Sequence, residues 1–296
     1  MKIGVIGGGA VGLLISSLLA DQGHQVTIYV RRQDQKHMIN KIGIEFLSSP
    51  DIFQVRAMLI DELQQEDFIF ICVKYYQIEQ ILTVLKNSSS TLIFIQNGMG
   101  HIDLINKMDF ASTIIVGTFE HGALKVNDYS VIHTGKGKLN IALLSGNELV
   151  LSSTYKAIDS LSFPVEIEQN WHVMLSEKLV INAVINPLTA LFQVKNGEIL
   201  TNPHVVALGK QLCKEAASVL QLNAEKQWRR VIGIAGNTNE NESSMKMDLK
   251  NNQLTEIEGI SGYLLKHASV DIPYTRFVYQ SIKALECYRE REDKDG

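Results

Sequence analysis

Lys178, Asn182 and Asn186 recur at four-residue intervals in EKLVINAVINPLTA (177–190), a stretch that is otherwise nearly all apolar. Steps of four place side chains one turn above another on a helix face. The three span about 12 Å at 1.5 Å per residue. An ammonium and two amides in line can hold and orient a polar ligand in a cleft. The alternative is a solvated face with Lys178 as an ordinary surface charge. Asparagine is a poor interior helix residue unless its amide is used, and two of them favour a site. Pro187 has no amide hydrogen, so the helix is expected to end or kink near it.

A second constellation opens the chain. Gly7, Gly9 and Gly12 form GxGxxG between the apolar run KIGVI (2–6) and the helix-like LLISSLLADQG. In this context Gly7 allows a tight turn, Gly9 lets a pyrophosphate approach the backbone, and Gly12 permits close helix–strand packing. Ala10 and Val11 begin a helix whose N-terminus faces the phosphates. The strand before and the helix after raise this above a ligand-free turn. The next strand ends in Tyr29-Val30-Arg31-Arg32. An NAD-binding chain carries Asp or Glu there for the ribose hydroxyls, whereas a guanidinium suits a 2′-phosphate. Arg31 therefore points to NADP(H).

Two further strand ends carry polar residues. Lys74 follows FIFICV and Asn97 follows TLIFIQ. Ligands in open α/β sheets bind at the carboxyl ends of strands, so both can reach a cofactor or a substrate. Their plain readings are a surface lysine and an Asn-Gly turn. In SSMKMDLKNNQLTEIEG (243–259), Ser243 or Ser244 can cap a short helix. Thr255 and Glu258 have capping-box spacing. Glu256 in a first helical turn gains from the helix dipole, which is reason enough for an acid there; contact with a ligand is the alternative.

The elements that must position these residues fall into two regions. Residues 2–6 and 26–30 read as strands around one helix, a βαβ unit. Apolar runs at 68–73, 91–95 and 112–118 suit parallel strands buried on both faces, with helix-like QIEQILTVLK between the first two. Strand-like runs at 138–144 and 163–168 finish the region. Long helical stretches then follow at 171–194, 203–222, 255–269 and 273–291, with a polar loop at 236–244. The expected fold is an α/β Rossmann-like domain (1–169) followed by an all-α domain (170–296). The charged end REREDKDG is expected to fray.

Bulk composition excludes several classes. With 296 residues, 45% of them hydrophobic, and a net charge of −4, the chain can build two cores and lacks the basic excess of a nucleic-acid binder. No apolar run reaches the roughly 20 residues of a membrane span. MKIGVIGGGAVG does not read as a signal peptide. Three widely spaced cysteines, Cys72, Cys213 and Cys287, suit a reducing cytoplasm better than a disulfide framework. The eight histidines show no metal-ligand spacing. The helices at 203–222 and 273–291 either pack internally or form a homodimer face.

Taken together these blocks resemble the ketopantoate reductase family over essentially the whole chain. The marks are GGGAVG (7–12) with Arg31, CVK (72–74), QNGMG (96–100), EKLVINAVINPLTAL (177–191), NGEIL (196–200), SSM (243–245) and TEI (255–257). The tract Asn251-Asn252-Gln253-Leu254 departs from the glycine and basic residue common there in the family. The resemblance implies a Rossmann-like domain followed by a helical one, and NADPH-dependent reduction of ketopantoate to pantoate on the way to pantothenate and coenzyme A. It implies Lys178 as general acid. Asn182, Asn186, Ser244 and Glu256 would hold the substrate, and Lys74 and Asn97 would sit beside substrate and nicotinamide, with Glu256 also near the cofactor. An ordinary lysine is protonated near neutrality, so it can stabilise a developing alkoxide and deliver a proton. Two other readings stay open: a related 2-keto or 3-hydroxy acid reductase on the same architecture, and an NADP(H) sensor without turnover.

Overall fold

A computed structural model describes residues 1–295, with side chains to Tyr288. Two compact units emerge, one of residues 1–96 and 104–174, the other of residues 97–103 and 175–295. The expected order, α/β and then helical, holds.

The first unit begins with β1 (Lys2–Ile6), α1 (Ala10–Asp21), β2 (Gln25–Val30) and α2 (Gln33–Ile42). Next come β3 (Ile44–Phe46), β4 (Asp51–Phe53), β5 (Arg56–Leu59), β6 (Phe68–Ile71), α3 (Ile78–Leu85) and β7 (Thr91–Phe94). After α4 (Gly100–Ile105) follow β8 (Ile114–Phe119), β9 (Gly122–Lys125), β10 (Ser130–Gly135), β11 (Leu139–Ser145), α5 (Glu148–Ile158) and β12 (Val165–Ile167). Eight strands form one sheet in the order β12-β11-β8-β7-β6-β1-β2-β5. All four residues of β6 and of β7 are buried, as strands covered on both faces must be. Ile3, Val5, Leu14, Ile28 and Phe70 are completely inaccessible, each such burial contributing about 1.5–3 kcal/mol. From β1 the chain turns to β2 on one side and later to β6 on the other, so the carboxyl ends of β1 and β6 flank a topological switch point.

Two features were not expected. β11 pairs antiparallel with β8, so the sheet is mixed. A second sheet, β4-β3-β10-β9, stands beside the first. Its strands are short, and β10 pairs with β3 across some 85 residues (Ser130 with Glu45).

The second unit contains the greater part of α6 (Trp171–Phe192), then α7 (Glu198–Thr201), α8 (Pro203–Val219), α9 (Ala224–Asn237), α10 (Ser244–Lys250), a π-helical turn (Glu258–Gly262), α11 (Tyr263–His267) and α12 (Pro273–Asp295). Helix α6 runs on through Pro187 instead of ending there. Helices α8 and α12 pack together: Glu215 on α8 accepts from the Tyr274 and Thr275 amides and from Thr275 Oγ1, at 2.7–3.0 Å. The charged tail continues α12 to Asp295, and Gly296 lies outside the described residues. Among the described residues no helix is long and apolar enough to cross a membrane.

One charge-sensitive spot lies in the first unit. His121 is 7% exposed, its Nδ1 is 3.0 Å from His133 Nε2, and its ring lies against Phe119 and Phe163. Burial, and then the neighbouring His133, push its pKa down to about 4. The unfolded chain therefore binds a proton at this site that the folded chain refuses between about pH 6.5 and 4. Stability should fall as pH drops through that window. Melting temperature measured against pH should decline below about 6.5, and His121→Asn should show a shallower decline; an equal slope in the variant would clear His121.

Candidate active site

The glycine loop has the geometry its sequence implies. Gly7 sits at φ +116°, and its amide donates to Tyr29 O at 2.9 Å. A Cβ on Gly12 would stand 1.8 Å from Gly7 O, so only glycine lets α1 approach β1 this closely. A Cβ on Gly9 would meet nothing within 4 Å. Gly9 is the N-cap of α1 and offers no side-chain acceptor. The first amides of the helix, Ala10 and Val11 among them, are thus left as donors beside open space. This is a cradle fit for a pyrophosphate.

Charge around the loop is already organised. Gly8 O accepts from Gln35 Nε2 (2.8 Å) and Lys125 Nζ (3.1 Å). Lys125 also pairs with Asp128 (2.9 Å), and Gln35 Nε2 reaches Asp128 O (2.9 Å). Arg32 pairs with Asp128 and with Asp34. Burial favours a neutral Asp128 carboxyl, but Lys125 and Arg32 outweigh it and hold the group below the usual range. Arg31 is exposed and forms no ion pair among the described residues. Of the two arginines it is the one not already committed to an acid. Sequence reasoning missed the Lys125–Asp128 contribution, because it arrives from the unforeseen β9–β10 hairpin about a hundred residues away.

At the neighbouring strand ends, Lys74 is half-buried just beyond β6. Gln96 donates from Nε2 to Ile71 O (2.7 Å) and Val73 O (3.1 Å), fastening the end of β7 to that of β6. Nothing beyond its place in QNG signalled that role.

In the second unit the polar stripe of α6 does not face solvent. Asn182 and Asn186 are each 7% exposed, and Lys178 is half-buried one turn earlier. Asn182 Nδ2 donates to Asn97 Oδ1 at 3.4 Å, and Asn97 Nδ2 donates to Glu256 Oε2 at 2.9 Å. Three residues named from sequence thus form one chain of bonds, with Lys178 and Asn186 a turn to either side of Asn182. Glu177 sets the rotation of α6 by pairing with Lys226, Gln227 and Arg230 of α9 at 3.2–3.3 Å. Ser244 is exposed at the start of α10 and is not brought into this chain. Its neighbour Ser243 is the cap, accepting from Lys246 N, and Thr189 Oγ1 of α6 donates to it at 2.7 Å.

The capping box expected at Thr255 does not form. Glu258 turns to Tyr279 Oη (2.7 Å) and Lys283, while the Thr255 amide goes to Glu286 (2.8 Å). A π-helical turn follows Glu256, a rare element that often marks a functional site. The Asn97 turn docks against it through Met99 N to Gly259 O at 3.0 Å. The departing tract 251–254 ends α10 with Asn252 at φ +52°, a left-handed conformation that asparagine tolerates.

With this geometry in hand, family models for "Ketopantoate reductase PanE/ApbA" match residues 3–146, and for its C terminal, residues 170–286. The chain belongs to the ketopantoate reductase family. Among its relatives, 2-dehydropantoate 2-reductase of Bacillus subtilis (strain 168) is 40% identical, with 97% of this chain and 98% of that protein covered. Its counterpart in Listeria monocytogenes is 36% identical, with 97% of each covered. The solved structure of a probable 2-dehydropantoate 2-reductase from Bacillus subtilis superposes with a TM-score of 0.86 at 38% identity, covering 96% of this chain and all of that one. Membership makes this chain an oxidoreductase. D-mandelate dehydrogenase with NADH shares the fold, at TM-score 0.92 and 22% identity, covering 98% of this chain and 99% of that one.

Gly98 lets the Asn97 turn reach the π-helical turn. It sits at φ +79°, and a Cβ there would lie 2.0 Å from Gly259 O. Gly98→Ala should cost about 1–3 kcal/mol or more in denaturant unfolding. Gly233→Ala, in open space on α9, should be neutral or stabilising. Equal stability of the two variants would refute the close-approach account.

Proposed function

We propose that this chain reduces 2-dehydropantoate (ketopantoate) to (R)-pantoate with NADPH, a step of pantothenate and coenzyme A biosynthesis. The carrying observation is the bonded set Asn97–Asn182–Glu256 beside Lys178 on α6, in a member of this family. Residues 1–169 bind the dinucleotide, and residues 170–296 supply the catalytic wall. Bound nicotinamide would supply the hydride.

The chain's own residues do the rest. Gly7, Gly9, Ala10, Val11 and Gly12 present backbone to the pyrophosphate. Arg31 takes the 2′-phosphate, since its guanidinium is not drawn off by an acid as Arg32 is by Asp128. Lys74 and Asn97 contact both substrate and cofactor. As the keto carbon is reduced, its oxygen gains charge, and Lys178 stabilises that charge and donates the proton. Asn182, Asn186 and Ser244 hold the keto acid. Glu256, oriented by Asn97, accepts a hydrogen bond from a hydroxyl of the substrate and helps to seat the cofactor. Asn97 spends its Nδ2 on Glu256 and its Oδ1 on Asn182, so each amide has one defined orientation before substrate arrives.

The deciding assay is NADPH oxidation by the purified protein with ketopantoate, beside NADH and a panel of other 2-keto acids. NADPH-selective turnover on ketopantoate supports the proposal; turnover confined to another keto acid moves the substrate, and dinucleotide binding without any turnover leaves a sensor. Lys178→Ala should lose about 10²–10⁴-fold in kcat; near-normal kcat would remove Lys178 from proton transfer. Arg31→Ala should raise KM for NADPH roughly 10- to 100-fold, the worth of about 1.5–3 kcal/mol in charge-assisted bonding, with little change for NADH. Equal effects on both cofactors would mean that Arg31 does not read the 2′-phosphate.

A further inference from the structure

Glu256 is aimed by the backbone step that precedes it, and that step is held from α12. Thr255 is 4% exposed, and both of its donors converge on one oxygen of Glu286: the amide at 2.8 Å and Oγ1 at 2.7 Å. Thr255 Oγ1 in turn accepts from Ile257 N at 3.2 Å. Glu286 is itself 6% exposed, and its other oxygen pairs with Lys283 at 2.8 Å. Lys283 also reaches Glu258, which Tyr279 Oη bonds. Burial pulls the Lys283 pKa down, yet Glu286 and Glu258 leave it raised. The residues on either side of Glu256 are therefore tied to three consecutive turns of α12, at positions 279, 283 and 286.

A carboxylate this deeply buried is an expensive way to satisfy one threonine, since taking a charge out of water is costly until its partners offset it. A local capping box through Glu258 would have satisfied the Thr255 amide more cheaply. What the distant acid adds is a fixed φ/ψ at Thr255, and so a fixed direction for the next side chain.

We propose that Glu286 is a positioning residue for the keto-acid end of the site: through Thr255 it aims the Glu256 carboxylate, and so governs the affinity for substrate and not the proton transfer. This rests on Glu256 contacting the substrate, as proposed above.

The test compares wild type, Glu286→Gln and Glu286→Ala on the full-length protein, at a temperature where circular dichroism shows all three folded. Glutamine keeps an oxygen to accept from both Thr255 donors; alanine removes it. Glu286→Gln should hold KM for ketopantoate within about threefold of wild type. Glu286→Ala should raise it about tenfold or more, with kcat changed far less and KM for NADPH rising clearly less than KM for ketopantoate. Unchanged ketopantoate KM in the alanine variant, or equal rises for both substrates, would overturn the proposal. If Glu286→Ala does not fold, Thr255→Val, which loses both Oγ1 bonds and keeps the amide bond to Glu286, should raise ketopantoate KM several-fold; no rise would overturn it. A wild type that does not turn over ketopantoate would instead sink the functional reading. Positioning is then read from amide exchange: protection of residues 255–259 kept in Glu286→Gln and lost in Glu286→Ala supports it, and protection kept in both overturns it.

Discussion

Buried amides must find partners, and the helical unit is arranged around that requirement. Asn182 and Asn186 lie on a helix that is otherwise core. Left unbonded, each would cost about 1–3 kcal/mol. Asn182 answers by donating to Asn97, and Asn97 answers by donating to Glu256. Glu256 is then constrained by the π-helical turn on one side and by Thr255 on the other. The same bonds that make the burial tolerable also define the directions in which the polar groups face. Structure and chemistry here share one set of hydrogen bonds, so the site cannot relax without exposing the cost that it hides.

The nucleotide side solves a different problem with backbone instead of side chains. Gly12 brings α1 against Gly7 O, and Gly9 leaves the space in front open. The loop is then braced from behind: Gln35 and Lys125 grip Gly8 O, and Asp128 gathers Lys125 and Arg32. A loop rich in glycine is conformationally free, and freedom is costly to remove at the moment of binding. Ties made in advance lower that cost.

Elements whose signal is local were legible in the sequence. The βαβ unit, the buried strands β6 and β7, and helices α6, α8 and α12 declare themselves by continuous apolar runs or by the 3.6 period. The stripe on α6 was legible because its polar residues interrupt an apolar helix at a single spacing. What was not legible depends on distance along the chain. The second sheet is built from short, half-exposed strands joined across some 85 residues, and no period betrays three residues such as Ile44–Phe46. Pro187 marks a place for α6 to end or kink; the helix does not end there, and Leu188 and Ala190 beyond it are both buried, packing that outweighs one missing hydrogen bond. At Thr255 the spacing to Glu258 matched a capping box, yet Glu286, thirty-one residues on, took the amide. Local motifs give the donors; only the fold decides which acceptor reaches them.

The seven residues from Asn97 to Asp103 belong with the helical unit although the chain before and after them belongs to the first. They bring Asn97 to Glu256, Met99 to Gly259, and Asp103 to Lys266 and His267. The helical half is consequently not a separable module. A gene fragment starting at residue 175 would encode its helices and omit a structural insert, leaving the Gly259 carbonyl and the Glu256 carboxylate short of the donors that residue 97 and its neighbours provide. Insertion or exchange of one half against another protein's would face the same obstacle.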